Sequence, residues 1–409
     1  MTTGILVVFF LVYLGMILGG LPFLQLDRTG VALLGAIALI GMGAVSPEEA
    51  ARSIHLPTVI LLFSFMVVSA QLRLGGFYPW VTVRVAERPL APPALLAAVI
   101  LAAAALSAVF SNDVVCLSVA PVLAAACSRR GLDPVPFLLA LACAANVGSA
   151  ATLIGNPQNM LIGSALRVSF AGYIAVAVVP VLLGLVATWA VIAGGTRGRW
   201  LATAAAAPAP ERREEEPVAL DRWQAAKGLG VAFGLLVVFL LTDVPREVAA
   251  LTGAGLLLTS RRLHSRKMLG LVDWELLVLF IGLFVVNQAF QRTGLTAALV
   301  HDLARSGVEL ERPAPLFAAT VVLSNLVSNV PAVMLLLPVA THPLAGPLLA
   351  LASTLAGNLF IVGSIANIIV VDAAARRGTP IGWRAHARVG VPVTLLTLAI
   401  AAAYLAWRA

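Results

Sequence analysis

The chain alternates long apolar runs with short polar loops, and two of its apolar regions are each broken at a single place. Uncharged runs of roughly 15 to 25 residues, about what is needed to cross some 30 Å of hydrocarbon as helix, predict spans near 3–24, 29–45, 57–73, 134–163 and 170–193, then 228–242, 246–259, 273–290, 346–372 and 389–407. The regions 92–127 and 313–340 are interrupted midway by Ser111-Asn112-Asp113 and Ser328-Asn329-Val330. In each copy the asparagine precedes a proline, Pro121 or Pro338, by nine residues. Read as re-entrant hairpins, these two regions leave ten crossings. The predicted fold is an all-α polytopic membrane protein, since a barrel would show alternating segments of about ten residues instead.

Sliding the chain by about 217 residues lays one half on the other. Asn112 then meets Asn329 and Pro121 meets Pro338; after a shorter loop in the second half, Gly155 meets Gly363 and Asn159 meets Asn367. This divides the chain into a first repeat at 1–195 (hairpin 92–127, broken helix 134–163), a linker at 196–227, and a second repeat at 228–409 (hairpin 313–340, broken helix 346–372). Each half carries five crossings and a hairpin. The odd number turns one copy upside down relative to the other, and inverted repeats with broken helices near the midplane are the usual architecture of secondary transporters.

Composition agrees with a membrane setting, at 60% hydrophobic and 11% charged residues. A net charge of +8 invites a nucleic-acid reading, but the basic residues lie in loops between spans, so no nucleic-acid partner is expected. With the hairpins re-entrant, 20 Lys and Arg fall on one face and seven on the other. The positive-inside rule makes the first face cytoplasmic, together with the linker and its Glu211-Arg212-Arg213-Glu214-Glu215-Glu216 run, and puts both termini outside a bacterial inner (plasma) membrane. Residues 1–24 lack a basic n-region and read as a retained first span. Cys116, Cys127 and Cys143 lie in or beside apolar segments and indicate no disulfide framework.

Downstream of the first hairpin, the stretch Asn146 to Asn159 holds too many glycines, prolines and small polar residues for an unbroken helix. Its counterpart runs through Ser353, Thr354, Gly357, Asn358, Gly363, Ser364 and Asn367. A break in lipid costs several kcal/mol per unpaired backbone group, so it is tolerated only where protein or a wet cavity satisfies it. Helix N-termini at such breaks offer N–H groups to anions, and C-terminal ends offer carbonyls to cations. Small polar residues also serve helix packing, and that role competes with ligand contact for any one of them.

Asp113 is the only acid placed deep in an apolar segment. A carboxylate there costs a few kcal/mol on insertion scales and is a natural proton carrier or sodium ligand. It also suits a helix cap, and the two roles are compatible. No Lys, Arg or His accompanies it in the predicted core, because His55, His264, His301, His342 and His386 fall in loops or at span ends. A doubly charged anion would therefore need bound cations or helix N-termini, whereas a neutral hydroxylated solute would need only hydrogen bonds. No His-Glu-x-x-His or phosphate-loop Lys-Ser/Thr is present and no carboxylate cluster lies within an apolar segment, which leaves intramembrane enzymes and ATP-driven pumps without support.

With Ser-Asn tips in both halves and Ala151-Thr152-Leu153-Ile154-Gly155-Asn156-Pro157-Gln158-Asn159 after the first, the chain resembles the ion transporter superfamily of divalent-anion/sodium symporters, arsenite permeases, silicic-acid exporters and certain sodium/proton antiporters. The resemblance implies a homodimer in membrane lipid, with an elevator-like transport domain built from the hairpins and broken helices. It implies transport of a small inorganic oxyanion or neutral metalloid hydroxide, coupled to H+ or Na+ and needing no cofactor. The alternatives are a sodium-coupled dicarboxylate or divalent-anion symporter and a sodium/proton antiporter. By similarity Ser111, Asn112, Asp113, Asn146 and Gly148 would serve the coupling ion, with sodium at Asn112, Asp113 and Asn146. Ser149, Thr152, Gly155, Asn156, Asn159, Ser328, Asn329, Ser353, Thr354, Asn358, Ser364 and Asn367 would line the substrate site. The third tip positions depart from the Ser-Asn-Thr of dicarboxylate symporters, being Asp113 and Val330, so the resemblance places coupling mainly at the first tip.

Overall fold

The computed structural model of the protein describes residues 1–21, 24–201 and 219–408, so the acidic and basic run of the linker lies outside the described residues. Among the described residues, ten α-helices precede the linker: α1 (Thr2–Leu18), α2 (Arg28–Gly41), α3 (Pro47–Ser53), α4 (Leu56–Leu74), α5 (Phe77–Ala86), α6 (Pro92–Val109), α7 (Asn112–Arg129), α8 (Pro134–Ser149), α9 (Pro157–Ala165) and α10 (Phe170–Gly195). Ten more follow in the same order: α11 (Arg222–Leu241), α12 (Arg246–Leu258), α13 (Ser265–Leu269), α14 (Trp274–Arg292), α15 (Leu295–Arg305), α16 (Pro313–Val327), α17 (Asn329–Leu336), α18 (Ala345–Ala356), α19 (Ile365–Arg376) and α20 (Trp383–Arg408). Seven of these helices are long and apolar enough to cross a membrane.

Packing repeats as well as order. Helix α2 lies on α14 as α12 lies on α4, α6 lies on α8 as α16 lies on α18, and α10 and α20 lie on each other. Crossed contacts of this kind follow from a two-fold relation between halves. With a hairpin and a broken helix in each half, the fold is an inverted repeat of transporter type.

Several boundaries differ from the hydropathy reading, each for a local reason. The expected span 3–24 stops at Leu18, because Gly19 turns the chain at φ 83° and Gly20–Leu21 pairs antiparallel with Leu26–Asp27. The span 29–45 stops at Gly41, short of Gly43, which sits at φ 67°. Helix α11 begins before 228, since the Asp221 carboxylate accepts the Trp223 and Gln224 N–H groups as an N-cap. Helix α20 begins at Trp383 rather than 389. The two helices between span and hairpin, α5 and α15, were not expected at all, being short and partly polar.

These two connecting helices differ in how they are held. Helix α5 lies on α7, with the Tyr78 ring edge-on to Phe110 at 6.0 Å. The Arg130 guanidinium donates to the carbonyls of Ala86, Arg88 and Leu90 at 2.7, 3.1 and 2.9 Å. Helix α15 packs on α14 and has no buried residue; Thr296, His301, Glu309, Glu311, Pro338 and Val339 line an open cavity of about 600 Å³ beside it.

Where the halves cross, glycine lets backbones touch, as expected in membranes. A Cβ on Gly282 of α14 would lie 2.7 Å from the Ala32 carbonyl carbon of α2, whereas one on Gly255 of α12 would meet nothing within 4 Å. Gly282→Ala should therefore cost about 1–3 kcal/mol through forced separation of α2 and α14. Unfolding in detergent should show it as a lowered midpoint; Gly255→Ala serves as the control and should show no such loss.

Candidate functional site

Helix α8 ends at Ser149 and the chain restarts at Pro157, where the Asn156 side chain caps α9 by accepting the Asn159 N–H at 2.9 Å. In the second half α18 ends at Ala356 and α19 starts at Ile365. Both breaks therefore fall where glycine, proline and small polar residues accumulate. The first hairpin tip leans directly on the first break, because the Asn112 N–H donates to the Gly155 carbonyl at 3.2 Å.

Contacts between the breaks cross from one repeat to the other. With Gly155 on Gly363, position 146 falls on 354 and 156 on 364. Asn146 accepts from Ser364 Oγ at 2.9 Å and donates to Asn367 Oδ1 at 3.2 Å. Its counterpart Thr354 accepts from Asn156 Nδ2 at 3.2 Å and donates to Asn159 Oδ1 at 3.4 Å. Each interrupted helix is thus tied at one residue to the two equivalent positions of the other. Asn146 Nδ2 also donates to Asn358 Oδ1 at 2.8 Å.

Backbone carbonyls set which way these amides point, since a carbonyl can only accept. Asn367 Nδ2 donates to the carbonyls of Gly357 and Phe360 at 2.9 and 3.1 Å, so its oxygen faces Asn146. Asn146 must then offer Nδ2 to Asn367 and present Oδ1 to Ser364 and Asn112. Asn112 donates Nδ2 to that oxygen at 2.9 Å, which leaves Asn112 Oδ1 buried and unpartnered. Asn146, expected beside sodium, has both ends of its amide occupied; the free oxygen belongs to Asn112. Asn159 is fixed likewise, Nδ2 donating to the Thr152 carbonyl at 2.9 Å.

The two tips are not equivalent. Ser111 has φ −54° and ψ 129°, whereas Ser328 has φ 77° and ψ 161°, a region close to glycine-only that costs about 1–3 kcal/mol. Asp113, half-buried in the first turn of α7, lies against the Ala366 N–H in the first turn of α19. The N-terminal turn of α19 therefore faces the carboxylate, while Asp113 itself stands in the first turn of α7. Asn329 Oδ1 is buried without a partner, as Asn112 Oδ1 is.

Some expected residues have other employment. A Cβ on Gly148 would fall inside the backbone of Ala104, so this glycine allows α6 to touch α8. Gly155 leaves no room for a Cβ between the carbonyls of Ser149 and Ser107. Thr152 Oγ1 donates to the Ala108 carbonyl, which ties the break to the end of α6. Ser149 Oγ donates to the Asn146 carbonyl at 2.8 Å, and Ser353 Oγ turns back to the Ala350 carbonyl of its own helix at 3.4 Å.

Other participants were missed. Ser107 and Ser324 lie five residues before the tip asparagines at the same offset of 217, and both hydroxyls are buried and unpartnered. That offset could have found them. Gln158 donates to Thr354 Oγ1 at 3.2 Å, and Tyr173 OH donates to the Ala150 carbonyl at 2.6 Å. His386 corrects the reading that every histidine sits in a loop or at an interface. Because α20 starts early, His386 lies inside it, 2% exposed, with Nε2 3.1 Å from the Asn358 carbonyl.

Asn367→Leu should strand the Gly357 carbonyl and remove one of the two acceptors of Asn146 Nδ2, which keeps Asn358 Oδ1, while the Phe360 carbonyl keeps the Gly363 N–H; a buried group left unpaired costs about 1–3 kcal/mol. The expected outcome is a clear fall in the detergent unfolding midpoint, larger than that of Ser353→Ala, whose hydroxyl serves only its own helix.

Comparison with known proteins accords with this architecture. The profile of the citrate transporter family (CitMHS) matches residues 7–356. The silicon efflux transporter LSI3 of Oryza sativa subsp. japonica is 30% identical over 93% of this chain and 92% of its own length. The 46 kDa membrane protein of Mycobacterium leprae is 29% identical over 93% and 94%. The crystal structure of the YdaH transporter of Alcanivorax borkumensis, reported to have an unusual topology, superposes with a TM-score of 0.61 at 15% identity, covering 100% of this chain and 98% of that one, and so shares the fold. The chain belongs to the citrate transporter family of membrane transporters, within the ion transporter superfamily.

Proposed function

We propose that the protein is a secondary active transporter of a small hydroxylated inorganic solute, a neutral metalloid hydroxide or small oxyanion of the arsenite or silicate type, coupled to H+ or Na+. The observation that carries this reading is the chemistry of the crossed breaks: side-chain amides, hydroxyls and helix N-termini, with arginine kept to the periphery. The arginines with several carbonyl partners, Arg130 and Arg246, serve helix ends, Arg246 donating to the carbonyls of Gly163 and Val168. Such a lining matches a solute rich in hydroxyl groups and poor in charge. The silicon efflux activity named for the rice relative supports the same class.

Coupling is assigned to the first tip, where Asp113 follows Asn112, whose Oδ1 is free, and where the Ser107 hydroxyl near the end of α6 is also unpartnered. A proton on Asp113, or a sodium ion held by these oxygens, would compensate its charge while the tip moves. Alternating access of elevator type, a homodimeric assembly, an inner-membrane location and a cytoplasmic linker complete the proposal; the 20-to-seven distribution of basic residues supports the orientation. A second reading, sodium-coupled uptake of a dicarboxylate or tricarboxylate, is favoured by the family's own description.

Asp113→Asn should abolish ion-coupled flux in proteoliposomes while the purified protein keeps its unfolding midpoint; undiminished coupled flux would overturn the assignment. A thermal-shift screen of arsenite, silicate, phosphate, sulfate, succinate and citrate, with and without sodium, separates the two solute classes. Sodium-dependent stabilisation by citrate or succinate alone would establish the second reading in place of the first.

A further inference from the structure

One anchoring contact occurs once in each repeat, with different chemistry. At the offset that lays Gly155 on Gly363 and Asn159 on Asn367, Ala150 falls on Asn358, so these two carbonyls occupy equivalent places in the two breaks. Each receives one hydrogen bond from the following long helix. Tyr173 of α10 donates OH to the Ala150 carbonyl at 2.6 Å, and His386 of α20 lies with Nε2 3.1 Å from the Asn358 carbonyl. Tyr173 and His386 each stand three residues after the first residue of their helix, Phe170 or Trp383. A tyrosine phenol stays protonated through the physiological range; an imidazole does not.

The carbonyl fixes the tautomer. Because it can only accept, Nε2 carries the hydrogen, and Nδ1 of the neutral ring keeps a lone pair that can take a proton. Protonation then keeps the bond to Asn358 and makes it charge-assisted. Asn358 passes the effect on, since its main chain serves His386 while its side-chain oxygen accepts from Asn146, which holds Asn112 of the first tip. Helix α20 is shaped for this contact: a Cβ on Gly390, one turn beyond His386, would collide with the Asn358 carbonyl and come within 2.8 Å of Nε2.

Among the described residues, the helices packed most closely on α20 bring no charged group to the imidazole. Helices α8, α10, α16 and α18 and the break at 357–364 carry no Lys, Arg, Asp or Glu. Their titratable groups are Cys143 on α8 and Tyr173 on α10, and the Tyr173 hydroxyl is committed to Ala150 and Asn159. On α20 itself Arg384 and Arg388 are exposed, while His386 is buried. The ring is therefore neither neutralised by a carboxylate nor opposed by a buried cation.

We propose that His386 is a positioning residue for the second break and makes its geometry responsive to pH, where Tyr173 gives the first break a fixed anchor. The proposal deepens the transport reading above, and its test does not depend on the solute. Hydrogen exchange of residues 357–364, corrected for intrinsic rates, is compared between about pH 5 and about pH 8 in the full-length wild type and in His386→Gln, His386→Tyr and His386→Leu. Glutamine and tyrosine keep a donor that does not titrate there; leucine removes the donor.

The wild type should change protection several-fold between the two pH values. His386→Gln and His386→Tyr should be protected and pH-independent, and His386→Leu should lose protection at both. Wild-type pH dependence retained in the glutamine variant, or full protection in the leucine variant, would overturn the proposal. If neither arsenite, silicate nor citrate is transported, the transport assignment fails while the exchange data still decide the role of His386. Where flux is measurable, the glutamine variant should flatten its pH profile.

Discussion

Everything distinctive in this molecule depends on one constraint: a helix interrupted inside hydrocarbon must find partners for its freed backbone groups, and no water is at hand to supply them. The protein meets it mainly with side chains. Asn367 satisfies the carbonyls of Gly357 and Phe360, Asn159 that of Thr152, Tyr173 that of Ala150 and His386 that of Asn358. These residues are buried because the carbonyls they serve are buried. A polar cluster in so apolar a chain is thus first a structural necessity, and its remaining free valences are what a solute or ion can use.

The same contacts explain why neither repeat is a self-sufficient body. Asn146 and Thr354 each bind two residues of the opposite half, so the breaks are closed jointly. Within that shared frame the tips have diverged. The first carries Asp113 in the opening turn of α7 and rests on Gly155; the second carries Val330 and a strained Ser328. Symmetry sets the scaffold, and the departures from it make the two tips chemically different.

Much of this was legible in the sequence because the signals were local. Glycine and proline density located both helix breaks, and a polar pair inside an apolar run located both tips. The linker anchors, Asp133 N–H to the Trp200 carbonyl at 2.9 Å and Asp221 N–H to the Gly75 carbonyl at 3.0 Å, were not legible, because they join segments distant along the chain. The cross-repeat partners were hidden for the same reason, with some 200 residues between Asn156 and Thr354. Ser107 and Ser324 escaped because a serine in an apolar helix usually bonds its own preceding turn. His386 was misplaced because two exposed arginines beside it imitate a loop, although they lie on the outer face of a helix whose inner face is buried.

The amide orientations have a consequence for motion. Because Asn367 is fixed by two main-chain carbonyls, and Asn146 and Asn112 follow from it in turn, no single amide of this chain can rotate half a turn without setting oxygen against oxygen at the next junction. Intermediate arrangements are therefore disfavoured. Rearrangement at the first tip has to proceed as one concerted event or by releasing Asn112 alone, the only link whose outer oxygen is uncommitted. The chain of asparagines acts as a latch with a single loose end, and that end belongs to the residue that precedes Asp113.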